Sequence, residues 1–442
     1  MIFSSIEFLI FFSIFVLLIK IFSNYQKHII IILSLFFYSY WDPIFFLLIV
    51  YLLITTFYII KKKIRLKISI PIILIPLFYF KYSSFIFGLI SIDIFEKFSY
   101  YGSLPLAISF ITFTAIALIV DITSNEFNEE LTFKNFAEFI IFFPQLIAGP
   151  ILRAKELIPQ LRNNIIFKKD NIRFGVLLFL IGFIKKVFLA DNISSFIDPF
   201  FQNPELYSSK DLIKGYLLFP FQIYFDFSGY VDMALGVSIF LGIKLPINFD
   251  KPYLTGSLTN FWRNWHITLS NWFRDYLYIP IGGSKKGNSR LFFNLIFTMS
   301  LAGLWHGANF NFVIWGFLNG LILYLEKILN INYKNTVLKI IFNLFIIFNL
   351  WLIFRIEDIS NLINYFYILY GGLFNIFTFE NLYILVFSLI CVLSQKIDNF
   401  VTLKKISLNI NLFILIPVFI ILIITGLAFS TGHSDKFIYF DF

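Results

Sequence analysis

The sequence predicts an all-α polytopic membrane protein, and three observations carry that prediction. Hydrophobic residues make up 59% of the 442-residue chain and charged residues only 14%, and mean hydropathy is +0.83. So little charge cannot cover the apolar surface of a soluble fold, where about 25% is usual. The apolar residues also fall in long runs separated by short basic loops, the pattern of membrane-spanning segments. Lipid offers backbone polar groups no partner, so each run must satisfy its own, as a helix does.

Taken in order, apolar runs at 2–22, 27–41, 43–60 and 66–80 predict the first four spans. The first lacks a basic n-region and a small-residue cleavage site, so it is expected to be a span rather than a removed signal. Lys61, Lys62, Lys63, Arg65 and Lys67 form the strongest basic cluster of this half and are expected to face the cytoplasm. Counting back puts Lys20 and Lys27 inside, and the N-terminus outside. Residues 83–102, with Asp93, Glu96 and Lys97, suit an interfacial segment, and 104–120 the next span. The apolar stretch 136–162 contains Pro144, Gly149 and Pro150, which predict a broken or re-entrant segment. Irregular backbone of that kind is tolerated only against protein or a water-filled cavity. Spans are expected again at 174–190 and 212–231.

Residues 244–290 are weakly hydrophobic and mostly basic, which predicts interfacial, partly inserted helices on the cytoplasmic side. The stretch 291–327 is too long for one span and has basic residues at both ends, so a hairpin is expected, broken at His306-Gly307-Ala308-Asn309. About fifteen helical residues from 291 rise only ~22 Å, short of a ~30 Å core, which places His306 at an apex within the bilayer. Spans at 336–354, 381–395 and 410–430 bring the expected total to about ten or eleven, with the tail 431–442 outside. No internal repeat or linker appears, so 1–442 reads as one domain.

Several function classes are excluded. The net charge of +9 comes from Lys and Arg in short loops, which orient helices and meet anionic lipid, so nucleic acid is not an expected partner. The single cysteine, Cys391, cannot form an internal disulfide, and Cys and His at zinc-ligand spacing are absent, so no metal is expected. The sequence has no Gly-x-Ser-x-Gly elbow, Walker loop or dinucleotide fingerprint.

What remains is a concentration of polar and aromatic groups. Two of four histidines and five of seven tryptophans lie between 262 and 315. Polar groups are costly in a bilayer, so their clustering marks the candidate site. A buried neutral imidazole is ready to accept a proton, which suits His306, near Trp305 and Asn309. The competing reading is a packing histidine between Gly303 and Gly307 in a small-residue helix contact. His266 lies among Trp262, Arg263 and Trp265, and on a helix 262, 263 and 266 would share a face. Arg263 and Arg274 are candidates for the phosphates of an acyl donor, or for lipid headgroups. Asp275 reads as an ion-pair partner or cap. Asp226 and Asp232, inside an apolar span, require a buried partner or a cavity, and pairing is the expected use.

These residues resemble a known family. Phe143–Pro150 (FPQLIAGP), Gln222–Asp232 (QIYFDFSGYVD), Asn248–Tyr253 (NFDKPY), Phe261–Gly283 and Leu301–Asn309 (LAGLWHGAN) are similar to motifs of the membrane-bound O-acyltransferase (MBOAT) superfamily. The likeness is to the bacterial branch of alginate and peptidoglycan O-acetylation proteins, and it makes 143–320 the motif-bearing core. The resemblance implies tilted helices around a central tunnel, with His306 as catalytic base and His266 as the second family histidine. The pair would mark opposite ends of the tunnel. It implies acetyl-CoA or another acyl thioester as donor, no bound cofactor, and donor contacts from Arg263, Arg274, Trp262, Trp265 and Asn309. It also implies a bacterial inner-membrane location and an extracytoplasmic, hydrolase-like acetyltransferase partner. Taken alone, the tail Phe437–Phe442 is best read as an interfacial aromatic belt, but it resembles a C-terminal aromatic motif of acyl-export systems, which makes Tyr439 a candidate acyl carrier. Teichoic-acid D-alanylation proteins share the Trp-His core and give the rival reading, and a non-enzymatic transporter is the second.

Overall fold

The computed structural model describes residues 1–40, 42–90, 104–105, 107–146, 149–330 and 336–429. The first half of the helices comprises α1 (Ile6–Ile21), α2 (Gln26–Ser39), α3 (Pro43–Lys61), α4 (Leu66–Leu77), α5 (Ser83–Ile90), α6 (Ile108–Thr123), α7 (Phe133–Ile141), α8 (Phe143–Leu146), α9 (Ala154–Leu161) and α10 (Lys169–Phe183). There follow α11 (Asp191–Gln202), α12 (Ser209–Phe240), α13 (Leu258–Asn264), α14 (Ile267–Phe273), α15 (Gly287–His306), α16 (Phe310–Ile328) and α17 (Val337–Arg355). The last are α18 (Ile359–Gly371), α19 (Phe379–Ser394), α20 (Phe400–Asn409) and α21 (Leu412–Phe429). The fold is all-α. Among the described residues the sole isolated backbone bridge is antiparallel, between Phe249 and Trp265.

The apolar runs form helices as expected, but several are cut short. Among the described residues, Leu66–Leu89 and Val337–Arg355 are each long and apolar enough to cross a bilayer, and bent pairs raise that number to at most four, where about ten or eleven spans are expected for the chain. One pair joins Ile6–Ile21 to Ser23–Ser39 at 107°, the other Phe400–Asn409 to Leu412–Ala428 at 119°. The fourth span runs past its expected end at residue 80, because a π-helical turn at Phe78–Tyr82 carries α4 into α5. Most of the interfacial segment expected at 83–102 lies outside the described residues.

The described residues group into two compact units. The first comprises Met1–Phe183, Tyr230–Pro246 and Ser407–Phe429. Its core is built from phenylalanine. The Phe143 ring lies 5.4 Å from Phe11, 5.0 Å from Phe15 and 5.6 Å from Phe37. The expected break between 136 and 162 is present: α7 stops at Ile141 and a four-residue helix follows. Buried Gln145 donates to the carbonyls of Phe139 and Ile140, and Phe143 N–H donates to Ser34 Oγ at 3.2 Å. Irregular backbone here is satisfied by protein. Ile147 and Ala148 lie outside the described residues.

The second unit holds Ile184–Gly229 and Ile247–Ile406. It opens with a π-helical turn, Ile184–Ala190, carrying two buried lysines. Lys186 Nζ lies 2.6 Å from Asp226 and 2.7 Å from Asp191, and Lys185 Nζ lies 2.6 Å from Asp398. Tyr224 donates to the same Asp398 carboxylate at 2.9 Å. Asp226 thus has the buried partner its setting requires. Removing one member of such a pair typically costs about 3–5 kcal/mol, because the other charge stays buried.

Candidate active site

The α15–α16 hairpin is the frame of the site. Its break falls where the sequence places it: α15 ends at His306, Gly307 is extended, and Asn309 precedes α16. Glycines let the two helices meet backbone to backbone. A Cβ on Gly303 would stand 2.0 Å from the Phe312 carbonyl oxygen, and one on Gly316 2.2 Å from that of Met299. A small-residue helix contact of the kind expected as a competing explanation therefore exists, made by Gly303 and Gly316, with Gly307 outside the helix. Helix α15 begins at Gly287, earlier than expected, so it rises ~30 Å rather than ~22 Å. Helix length alone no longer sets His306 below the far side of a bilayer.

His306 is buried in a cage of aromatic rings. Trp305 lies 4.9 Å away, Trp315 5.3 Å and Phe354 5.2 Å, the last two edge-on at 88° and 79°. Asn311, at the start of α16, donates to the carbonyls of Ile353 and Phe354 at 3.3 and 3.4 Å and so ties the cage to α17.

His266 is held differently. It is not on a helix face with Trp262 and Arg263, because α13 ends at Asn264 and His266 adopts a left-handed backbone, φ 43°. A non-glycine residue there carries strain of order 1–3 kcal/mol, which surrounding contacts must hold. Asn248 supplies them. Its carbonyl accepts Ile267 N–H at 3.0 Å, and its side-chain oxygen accepts Thr268 N–H at 3.2 Å and Thr268 Oγ1 at 2.6 Å. The fully buried imidazole packs 4.7 Å from Phe227 and 6.0 Å from Trp305. A single indole, Trp305, thus separates the two histidines. They do not stand at opposite ends of this site.

Beside His306 lies a cavity of about 400 Å³. Leu291, Leu295, Thr298, Ala302 and His306 line it at helical spacing, so one face of α15 borders it for ~22 Å. The antiparallel return of α16 puts Lys327, also a lining residue, near the start of α15, at the opposite end from His306. Thr259, Trp262 and Arg263 enter from α13, and Arg274 and Tyr278 from a π-helical turn after α14. Arg263 is exposed, and Arg274 is clamped by Asp275 through bonds of 2.7 and 3.1 Å. Burial raises the Tyr278 phenol above its ordinary value, with a hydrogen bond to Ser284 opposing the shift, so it is neutral at physiological pH.

Of the expected donor contacts, Arg263, Arg274 and Trp262 line this cavity. Trp265 and Asn309 do not. Trp265 is 1% exposed and packs against Phe249, Phe261 and Trp351 at 5.0, 5.5 and 4.9 Å, which makes it core. Asn309 serves as the boundary residue of α16. His266 is not among the residues lining the cavity. Tyr439 lies outside the described residues. Phe354 was not legible as a site residue, since nothing distinguishes it in a chain with 63 phenylalanines.

A buried imidazole thus stands at one end of a largely apolar cavity and Lys327 at the other. The chain belongs to the membrane-bound O-acyltransferase family, whose model matches residues 122–363. It is 41% identical over 271 residues to the probable alginate O-acetylase AlgI of Pseudomonas aeruginosa, covering 59% of this chain and 51% of that protein. It is 39% identical over 278 residues to the peptidoglycan O-acetyltransferase of Helicobacter pylori, covering 56% and 52%. A teichoic acid D-alanyltransferase of Bacillus subtilis is 30% identical over 234 residues, covering 49% and 58%. The chain spans about half the length of the relatives it matches.

Proposed function

We propose that this protein is a multi-pass enzyme of a bacterial inner membrane that transfers acetyl groups from a cytoplasmic thioester, such as acetyl-CoA, for O-acetylation of an exported or cell-wall polysaccharide. The observation that carries the reading is His306, buried at the end of a cavity whose other end bears Lys327. Arg263, Arg274 and Lys327 suit the phosphates of the donor, and the apolar α15 face suits its pantetheine arm. His306 takes the proton of the acceptor hydroxyl as its oxygen attacks the thioester carbonyl. The C–S bond then breaks, and the thiolate leaves with the proton held by the imidazole. The aromatic cage keeps water, the competing nucleophile, away from the thioester. His266 acts through Trp305 to fix the His306 ring.

An extracytoplasmic, hydrolase-like acetyltransferase completes transfer to sugar in this reading, and Tyr439 carries the acyl group to it. Acetyl is preferred over D-alanyl because identity is higher to the proteins named as O-acetylases than to those named as D-alanyltransferases. Membranes supplied with labelled acetyl-CoA or with a D-alanyl carrier protein decide the donor: label from acetyl-CoA on polysaccharide is expected. Label from the carrier protein alone would establish the D-alanyl reading. Unchanged acylation in folded His306→Ala would leave a transporter. Mass spectrometry of the C-terminal peptide tests Tyr439, for which no acylation together with full activity in Tyr439→Phe removes that role.

A further inference from the structure

We propose that Glu326 is a positioning residue for the donor end of the cavity: from α16 it holds α13, which carries Thr259, Trp262 and Arg263 into the lining. The proposal rests on the donor reading given above. Helix α13 has seven residues, too few to be stable alone, and its first N–H groups need partners from outside. Ser257 Oγ accepts one, from Asn260 at 3.2 Å. Glu326 takes the rest. Its Oε1 accepts Leu258 N–H at 2.7 Å, and its Oε2 accepts Thr259 N–H at 2.9 Å and Thr259 Oγ1 at 2.7 Å.

Glu326 is 5% exposed, and three donors plus the positive end of α13 make a buried carboxylate tolerable there. Two turns earlier on the same face of α16, Asn319 accepts Trp262 Nε1 at 3.1 Å and donates to the Trp315 carbonyl at 2.8 Å. The short helix is thus fastened to α16 at its start by Glu326 and near its end by Asn319. Lys327, next in sequence to Glu326, lines the same cavity. One segment of α16 therefore sets both its own cation and, through α13, Arg263.

The test is calorimetric titration of the purified full chain in lipid nanodiscs with acetyl-CoA. Affinity and stoichiometry separate the alternatives, since unfolded protein lowers the number of sites while a misplaced Arg263 weakens each site. Glu326→Ala is expected to weaken affinity about tenfold at unchanged stoichiometry, Glu326→Gln about threefold, and Asn319→Ala about threefold. Arg263→Ala is expected to weaken it about tenfold, and adding Glu326→Ala to it to cost less than about twofold more, because both act through one contact. Should Glu326→Ala not fold, Glu326→Gln and Asn319→Ala decide. Affinity within about twofold of wild type in these variants, with Arg263→Ala still weakened, overturns the positioning role. Lower stoichiometry at unchanged affinity overturns it too, since Glu326 would then serve only the fold. No binding by the wild type, or full affinity in Arg263→Ala, instead overturns the donor reading on which the proposal rests.

Discussion

His306 and His266 are both buried and are separated by one indole, yet they are placed by opposite means. His306 ends a twenty-residue helix that lies backbone to backbone against its partner through Gly303 and Gly316. His266 sits in a left-handed turn held by the hydrogen bonds of one asparagine. The first device is rigid because nothing larger than glycine fits. The second depends on polar contacts, each worth roughly 1 kcal/mol net. The difference makes His306 the more firmly placed of the two.

The largest effect that would break this comparison is at His306 itself. His306→Ala is expected to lower acyl transfer by roughly 10²–10⁴-fold while the protein remains folded in detergent, measured by labelled transfer and size exclusion. Gly303→Leu comes next. Its side chain must displace the Phe312 carbonyl, so about 1–3 kcal/mol of stability and nearly all activity should be lost, read as the thermal transition and the transfer rate. His266→Asn is milder, because asparagine tolerates the left-handed backbone. Stability close to wild type with kcat down by about tenfold to a hundredfold is expected, and wild-type kcat would remove His266 from the mechanism. The smallest effect is at Asn248, where Asn248→Ala removes the acceptor of two Thr268 hydrogen bonds. A loss of about 1–3 kcal/mol is expected in thermal unfolding, with kcat falling less than in His266→Asn.

The two devices also differ in how far they can be read from sequence. The hairpin is legible because His306-Gly307-Ala308-Asn309 interrupts an apolar run flanked by cations. The broken segment at Phe143–Pro150 and the pairing of Asp226 are legible for a similar reason, since proline and a lone carboxylate each stand out against lipid. The His266 turn is not. No glycine marks its positive φ, and Trp262 to Trp272 reads as one helix until Asn248 is seen to cross it. Glu326 and Asn319 escape too, because their partners lie 67 and 57 positions away in sequence. Periodicity reports what a helix faces but not which donor a distant carboxylate will meet.

The Lys186–Asp226 pair bears on how the chain enters the membrane at all. A lysine or aspartate at the centre of an inserting helix costs ~2.5–3.5 kcal/mol, and α10 with its π-helical extension reaches the insertion machinery before α12 has been made. Asp191 is made five residues after Lys186 and can pair with it first, so it is Asp226 that meets a cation already in place when α12 arrives. A buried charge pair of this kind makes biogenesis a matter of timing as well as hydrophobicity.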